Sequence, residues 1–287
     1  METVAEYFRE TLGGKAQKIA VDAGLGCPNR DGTVGTGGCI YCSNAAFNPG
    51  YAAGSGHSIR QQLEDGRRFF ARKTSEDTAC LAYFQSFTNT YGDTQKLIGL
   101  YEEALGTEGI RGLVIATRPD SIGDDILDWL SEARKRTFIM IELGVESTRD
   151  DTLKRINRGH DFACSRQAIK RIAAKGIPVG VHIILGLPGE TQDDFNAHAR
   201  RISELPVTAV KLHQLQVIKG TPLAEDFSDV TLFTPETYAE AAAGFIRNLR
   251  PDIALDRLVS ETPPGMLIAP GWGLKPSQVN EMILSRI

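Results

Sequence analysis

Short, unbroken apolar runs constrain this chain more than any other feature. The strand-like stretches "ACLAYFQSF" (79–87), "GLVIATRPD" (112–120), "FIMIELGVES" (138–147) and "IPVGVHIILGLPGE" (177–190) each carry an apolar run with almost no polar alternation. A strand with one face in water alternates apolar and polar residues. A strand covered on both faces reads as a continuous apolar run. Longer amphipathic segments separate the runs, among them "TQKLIGLYEEAL" (94–105), "DDILDWLSEARKR" (124–136) and "PETYAEAAAGFIRNL" (235–249). Further strand-like stretches stand at "KIAVDAG" (18–24), "AVKLHQLQVI" (209–218) and "DIALDRLVS" (252–260). Strand and helix alternating about six times predicts an α/β chain with a parallel sheet, curved into a partial (β/α)6 TIM-like barrel. No Ser/Gly-rich linker or repeat divides the 287 residues. The reading is one domain, with an N-terminal segment over 1–15, a barrel core over 16–250 and an irregular C-terminal extension over 251–287.

In barrels of this kind chemistry sits at the C-terminal ends of the strands. Polar residues and glycines gather at those places here, in "QSFTNTYGD", "TRPD", "GVES", "GLPGET" and "KGTPL". The first strand runs into "CPNRDGTVGTGGCIYC", where eleven residues separate Cys27 from Cys39 and two separate Cys39 from Cys42. The formal net charge is −4, the N-terminus lacks a signal-peptide pattern, and no run approaches a membrane span. A cytoplasmic protein is expected, with reduced thiols, so a disulfide framework is a poor reading. Cys80 and Cys164 read as buried filler. Three thiolates can bind zinc or iron. A closed zinc site needs a fourth ligand, and His57, the nearest histidine, lies fifteen residues past Cys42. Three ligands leave a coordination position open, which suits a [4Fe–4S] cluster with one free iron; zinc completed by a remote histidine is the alternative.

These residues carry a resemblance to the radical S-adenosylmethionine (SAM) enzymes. The widened CX11CX2C spacing resembles the branch around the Elongator catalytic subunit, and within it the small YhcC-like proteins. The resemblance covers nearly the whole chain. It implies that Cys27, Cys39 and Cys42 hold a [4Fe–4S] cluster, and that SAM is split reductively to a 5′-deoxyadenosyl radical. A reduced donor of flavodoxin or ferredoxin type would supply the electron. It places Tyr41, just before the last cysteine, beside the adenine. The turn after the second strand, which accepts from the SAM ammonium in the family, falls at Gln85, Ser86 and Thr88, without the usual glycines. "GVES…INRGH" is similar to the "GVQS…RxH" pattern of the oxygen-independent coproporphyrinogen oxidases. Arg158 stands in its arginine position, for the carboxylate, and Glu146 in the ribose position. His182 aligns with a second ribose contact, and Ile184 with an adenine contact. No catalytic residue acting on the substrate is assigned.

The substrate pocket is sought further on. Alternation along the sixth strand turns either Lys211 and His213 or Gln214 and Gln216 inward. Gln216 and Lys219 lie nearest its end, Arg257 and Glu261 follow, and the Pro/Gly tail with Trp272 is expected to cap the mouth. The acidic balance gives no support for a nucleic-acid partner, although a local basic groove stays open. The "DD" pairs at 124–125, 150–151 and 193–194 read as helix starts, where acids complement the helix dipole. Gly35 to Gly38 read as loop turns rather than a phosphate loop, because no Lys-Ser/Thr follows. A non-catalytic metal-binding or regulatory protein on a degenerate barrel is the alternative to an enzyme.

Overall fold

The computed structural model describes residues 2–43, 57–75, 77–263 and 265–287. Six parallel strands follow one another across a sheet: β1 (Ala16–Val21), β2 (Ala79–Phe84), β3 (Ile110–Thr117), β4 (Phe138–Glu146), β5 (Val179–Leu185) and β6 (Ala209–Gln214). After β7 (Val217–Ile218), which leaves the sheet, β8 (Ala254–Leu255) adds a short seventh strand beside β6. The first and last strands do not pair, so the sheet is an open half-barrel.

The unbroken apolar runs are explained by two coverings. Leu113, Ile115, Ile139, Ile141, Val181 and Leu212 point outward and pack with the helices. Those helices are α2 (Ile59–Phe70), α3 (Thr94–Leu105), α4 (Asp124–Ala133), α6 (Phe162–Ala174), α7 (Gln192–Ser203) and, after the four-residue α8 (Pro222–Glu225), α9 (Pro235–Arg247). Their sequence neighbours Leu81, Tyr83, Val114, Ala116, Met140 and Ala209 form a second cluster on the concave face. That cluster is closed from below by Val4 and Phe8 of α1 (Val4–Leu12). The two residues are four apart and share a helix face, and Phe8 meets Phe138 edge-on at 5.6 Å. The N-terminal segment is thus a capped helix plugging the barrel. Thr3 and Glu6 form its capping box, with Thr3 N donating to Glu6 Oε2 at 2.7 Å. The same segment reaches the last strand, where Leu255 N donates to Glu2 O at 2.9 Å.

The C-terminal extension carries more structure than its sequence suggests. β9 (Leu267–Ala269) pairs antiparallel with β7, and α10 (Pro276–Leu284) packs against α9. Trp272 does not cap the barrel mouth: its indole N–H donates to Phe233 O at 2.9 Å, and its ring lies 5.4 Å from Tyr238 on the outer helical layer. The three acidic pairs occupy first turns of α4, α5 (Asp150–Arg155) and α7. Cys80 is buried in the outer core.

Candidate active site

The cysteine loop is held from both sides. Within it, Arg30 N donates to Cys27 O at 2.9 Å, Val34 N to Pro28 O at 2.8 Å and Cys42 N to Cys39 O at 3.0 Å. Gly38 sits at φ +80, and a Cβ there would fall 2.9 Å from Arg30 Nε. Its absence lets Arg30 fold across the loop and donate to Cys42 O at 2.7 Å. From outside, the turn between α5 and α6 docks on the loop. Asn157, itself at φ 53, donates to Gly38 O at 2.8 Å and to Thr36 O at 3.1 Å, while buried Asn29 donates back to Asn157 O at 2.6 Å. Neither asparagine stands out in the sequence, because each serves backbone groups distant along the chain.

Above the concave face lies a cavity of about 200 Å3. Cys27, Cys39 and Cys42 line it together with Tyr41, Gln85, Thr88, Glu146, Arg158, His182 and Ile184. Ser86, the remaining candidate, is buried beside the turn and does not line it. His57 stands apart, with Nδ1 3.6 Å from Asp65 on α2. Among the described residues no three His, Cys, Asp or Glu side chains converge on one metal ion. Three cysteines lining one cavity are the ligand set that a [4Fe–4S] cluster with one open iron requires, since each thiolate takes a different iron.

The turn after β2 lacks glycine yet still takes a left-handed residue, at Phe87 (φ 62), which also lines the cavity. Asn89 pins that turn by donating to Phe84 O at 3.0 Å and Ala116 O at 2.9 Å. Glu146 is left-handed as well (φ 69), at a bulge in β4, and its carboxylate lies 3.8 Å from Arg158 Nη2. Gly144 makes room for the pair: a Cβ there would fall 2.5 Å from Glu146 Oε1 and 2.8 Å from Arg158 Nη2. Arg158 donates from Nη1 to Cys39 Sγ at 3.4 Å and from Nη2 to Gly144 O. A second buried guanidinium, Arg118 of "TRPD", lines the cavity too. Asp120 holds it bidentately at 2.9 and 2.7 Å, and it donates to Arg158 O at 2.7 Å. Thr88 Oγ1, Arg118 Nη1 and Arg158 Nε are buried without a partner among the described residues. Orphaned polar atoms around a cavity are what a polar ligand would satisfy.

Below them a charged floor separates the cavity from the apolar plug. Glu142, 2% exposed, accepts from Lys18 at 2.6 Å, Tyr83 Oη at 2.7 Å and Lys211 at 3.3 Å, and pairs with His182 Nε2 at 2.8 Å. Lys18 on the first strand also reaches Asp256, just past the last strand, at 2.8 Å, so one ion pair spans the open side of the sheet. Burial opposes the charge on Glu142, but Lys18, Lys211 and His182 outweigh it and hold its pKa well below the usual range. Burial likewise opposes the charge on Lys18, and Glu142 and Asp256 raise its pKa. His182 spends Nε2 on the floor while its ring lines the cavity.

Along β6 the either-or expectation fails: Lys211, His213, Gln214 and Gln216 all line the cavity. Strand geometry stops at Gln214, and alternation stops with it. Gln214 is locked to the backbone of Ser260, accepting from its N at 2.8 Å and donating to its O at 2.9 Å; Gln216 accepts from Thr262 at 2.8 Å. Arg257 lines the cavity, whereas Lys219 and Glu261 do not.

A family model described as the radical SAM superfamily matches residues 24–202, and one described as the radical SAM C-terminal domain matches 207–287. The chain belongs to the radical SAM superfamily. YhcC of Escherichia coli strain K12 is 36% identical over 263 residues, covering 91% of this chain and 83% of that one. YtqA of Bacillus subtilis is 34% identical over 279 residues, covering 96% and 86%. Among solved structures, Elp3 of the archaeon Methanocaldococcus infernus superposes with a TM-score of 0.69 at 16% identity, over 94% of this chain and 63% of that chain. Coproporphyrinogen III oxidase (HemN) of Escherichia coli gives a TM-score of 0.52 at 15% identity, over 81% and 50%. Both likenesses concern the fold. The cofactors of this radical SAM protein are a [4Fe–4S] cluster and S-adenosylmethionine, and the three-thiol wall with its orphaned donors fits them. Among the described residues no helix is long and apolar enough to cross a membrane.

Proposed function

We propose that this chain is a radical SAM enzyme whose cluster sits on Cys27, Cys39 and Cys42. Bound there, the reduced cluster would supply one electron that splits SAM into methionine and a 5′-deoxyadenosyl radical. One observation carries the reading. The cysteine loop with Tyr41, the β4 end with Glu146 and the turn after α5 with Arg158 are three separate stretches of sequence, yet they line one cavity at the C-terminal ends of the strands. Arg158 is assigned the SAM carboxylate and Glu146 the ribose hydroxyls. Gln85 and the turn through Thr88 are assigned the ammonium, and Tyr41 and Ile184 the adenine. Burial of Arg158 and Arg118 strengthens each charge-assisted hydrogen bond by excluding water. A flavodoxin- or ferredoxin-type protein is proposed as the electron donor.

Anaerobic reconstitution tests the reading. A brown protein with about four irons and four sulfides per chain is expected. On reduction it should release 5′-deoxyadenosine and methionine from SAM. One colourless zinc per chain, or a full cluster with no such products, overturns it.

The Arg158 assignment makes a separate prediction. Arg158→Gln should weaken SAM binding about 10- to 100-fold, the size of a lost hydrogen bond to a charged group. Arg158→Lys should recover only part, because an ammonium lacks the fork. Equilibrium dialysis of SAM, with iron content measured alongside, reads both. Unchanged affinity at full iron content counts against the assignment.

A further inference from the structure

The cavity has a second end that the cofactor assignments do not use. It lies on the β5–β6 side, where His182, Lys211, His213, Arg257 and Ser260 line the wall. His213 Nδ1 lies within hydrogen-bond reach of both Ser260 Oγ and Arg257 Nη2, the latter at 3.3 Å. A guanidinium can only donate, so Nδ1 must accept, and the neutral ring carries its proton on Nε2. That Nε2–H has no partner among the described residues, and neither has the Nε–H of Arg257. Among the described residues Arg257 has no carboxylate partner either, because the nearby Glu142 and Asp256 are committed elsewhere. Glu142 serves Lys18, Tyr83, Lys211 and His182, while Asp256 serves Lys18 and Lys211. Among the described residues three cations, Lys18, Lys211 and Arg257, thus face these two carboxylates, and the buried groups left unpartnered at this end, His213 Nε2 and Arg257 Nε, are donors.

We propose that Arg257 and His213 recognise an oxyanion on the substrate, a carboxylate or a phosphate, and so anchor it opposite the cluster wall. The inference rests on the proposed function in that it takes this cavity to hold SAM and substrate together. Buried donor atoms without acceptors, on a half-buried cation and its half-buried histidine neighbour, call for a ligand that brings both acceptor atoms and negative charge. A neutral hydrocarbon would leave both donors unsatisfied. A cationic substrate would meet Lys211 and Arg257 with no free carboxylate to receive it. Burial and the neighbouring Arg257 keep His213 neutral by pushing its pKa well below the usual value, so the ring acts here as a directed donor.

The test uses the reconstituted chain with SAM bound, without reductant, so that no turnover occurs. Sodium benzoate, sodium acetate and sodium phosphate are titrated against sodium chloride at matched ionic strength. The thermal unfolding midpoint is followed, with saturation-transfer NMR for benzoate. A saturable upward shift with a carboxylate or with phosphate, absent with chloride, is expected, and the responding series names the oxyanion. Arg257→Gln should weaken that binding at least about 10-fold, Arg257→Lys should weaken it less, and both should keep wild-type affinity for SAM. His213→Asn gives an independent variant should Arg257→Gln lose its folded circular dichroism spectrum. No shift beyond chloride, or equal binding by Arg257→Gln and His213→Asn, overturns the proposal. Loss of SAM affinity in Arg257→Gln also overturns it, by assigning that arginine to the cofactor. Oxyanion binding that follows this pattern in a chain that later makes no 5′-deoxyadenosine supports the pocket while removing the proposed function, so the two failures are separable.

Discussion

A Cys39→Ala chain, reconstituted anaerobically, is expected to hold no stable [4Fe–4S] cluster and to release no 5′-deoxyadenosine above a protein-free blank. Cys39 is the most deeply placed of the three loop cysteines, at 5% exposure. It is also the one to which the surrounding donors point: Arg158 Nη1 at 3.4 Å and Asn29 Nδ2 at 3.7 Å. Hydrogen bonds to a ligating sulfur stabilise its negative charge, so these two residues would favour the cluster-bound thiolate over the free thiol. The alanine removes one of only three protein ligands, and no other cysteine lines the cavity to replace it. It also leaves the Arg158 guanidinium, 6% exposed, with one anionic neighbour fewer. Iron analysis and the visible absorption of the cluster read the first effect, and product chromatography the second. Cys164→Ala is the control, since Cys164 sits on α6 outside the cavity, and it should keep both iron and activity. A Cys39→Ala protein that retains cluster and product formation would falsify the ligand assignment.

The residues that were legible in the sequence are those whose chemistry is local. Cys27, Cys39 and Cys42 declare themselves by spacing, and the apolar strands by the two-sided burial that their unbroken runs require. Tyr41, Glu146 and Arg158 are reached through the resemblance to the radical SAM enzymes, and the structure brings all three to the wall of the cysteine cavity. The charged floor is different. Lys18 stands in "QKIAV" and Glu142 in "IMIEL", each one charge within an apolar run, and an apolar-run reading passes over both. Their meaning lies in pairing across 124 and 238 residues of sequence, which only the curled half-barrel brings about. Phe87 and Glu146 adopt left-handed backbone where glycine is the usual choice, and no residue pattern announces that. On β6 alternation ends with the strand at Gln214, so it does not decide where Gln216 points. Trp272 suggested a lid because a Pro/Gly-rich tail reads as irregular. β9 instead pairs with β7, with Ala269 packed against the cluster that holds Ile184 and Val217, and α10 carries the tail onto α9.

The floor carries the largest stability prediction. Glu142→Gln should lower the unfolding free energy at pH 7 by about 3–5 kcal/mol, the cost of leaving buried charges uncompensated. Gln keeps the shape and can still accept from Tyr83 and a lysine, so the loss comes from charge rather than volume. Lys18 and Lys211 would then share Asp256 alone, at 2.8 and 3.6 Å. The pH dependence follows from the direction of the shifts. The pKa of Glu142 is depressed in the folded chain, so its contribution is fully present above its unfolded value near 4.5 and is lost as pH falls through the folded value. Asp256 behaves the same way, from 3.8. Lys18 has the opposite sign: its pKa is raised, so its contribution is present below 10.5 and is lost as pH rises through the folded value. Wild type should therefore hold its stability across neutral pH and lose it in strong acid, while Glu142→Gln should show a lower plateau and a shallower acid limb. Urea unfolding of the cluster-free chain at several pH values separates these limbs. Removing a cation together with the carboxylate, in Lys18→Met/Glu142→Gln, should recover part of the loss, because an absent charge needs no partner. Equal stability of wild type and Glu142→Gln at pH 7 would mean that water, rather than Glu142, compensates the two lysines, and the floor would then be no barrier between the cavity and the apolar plug.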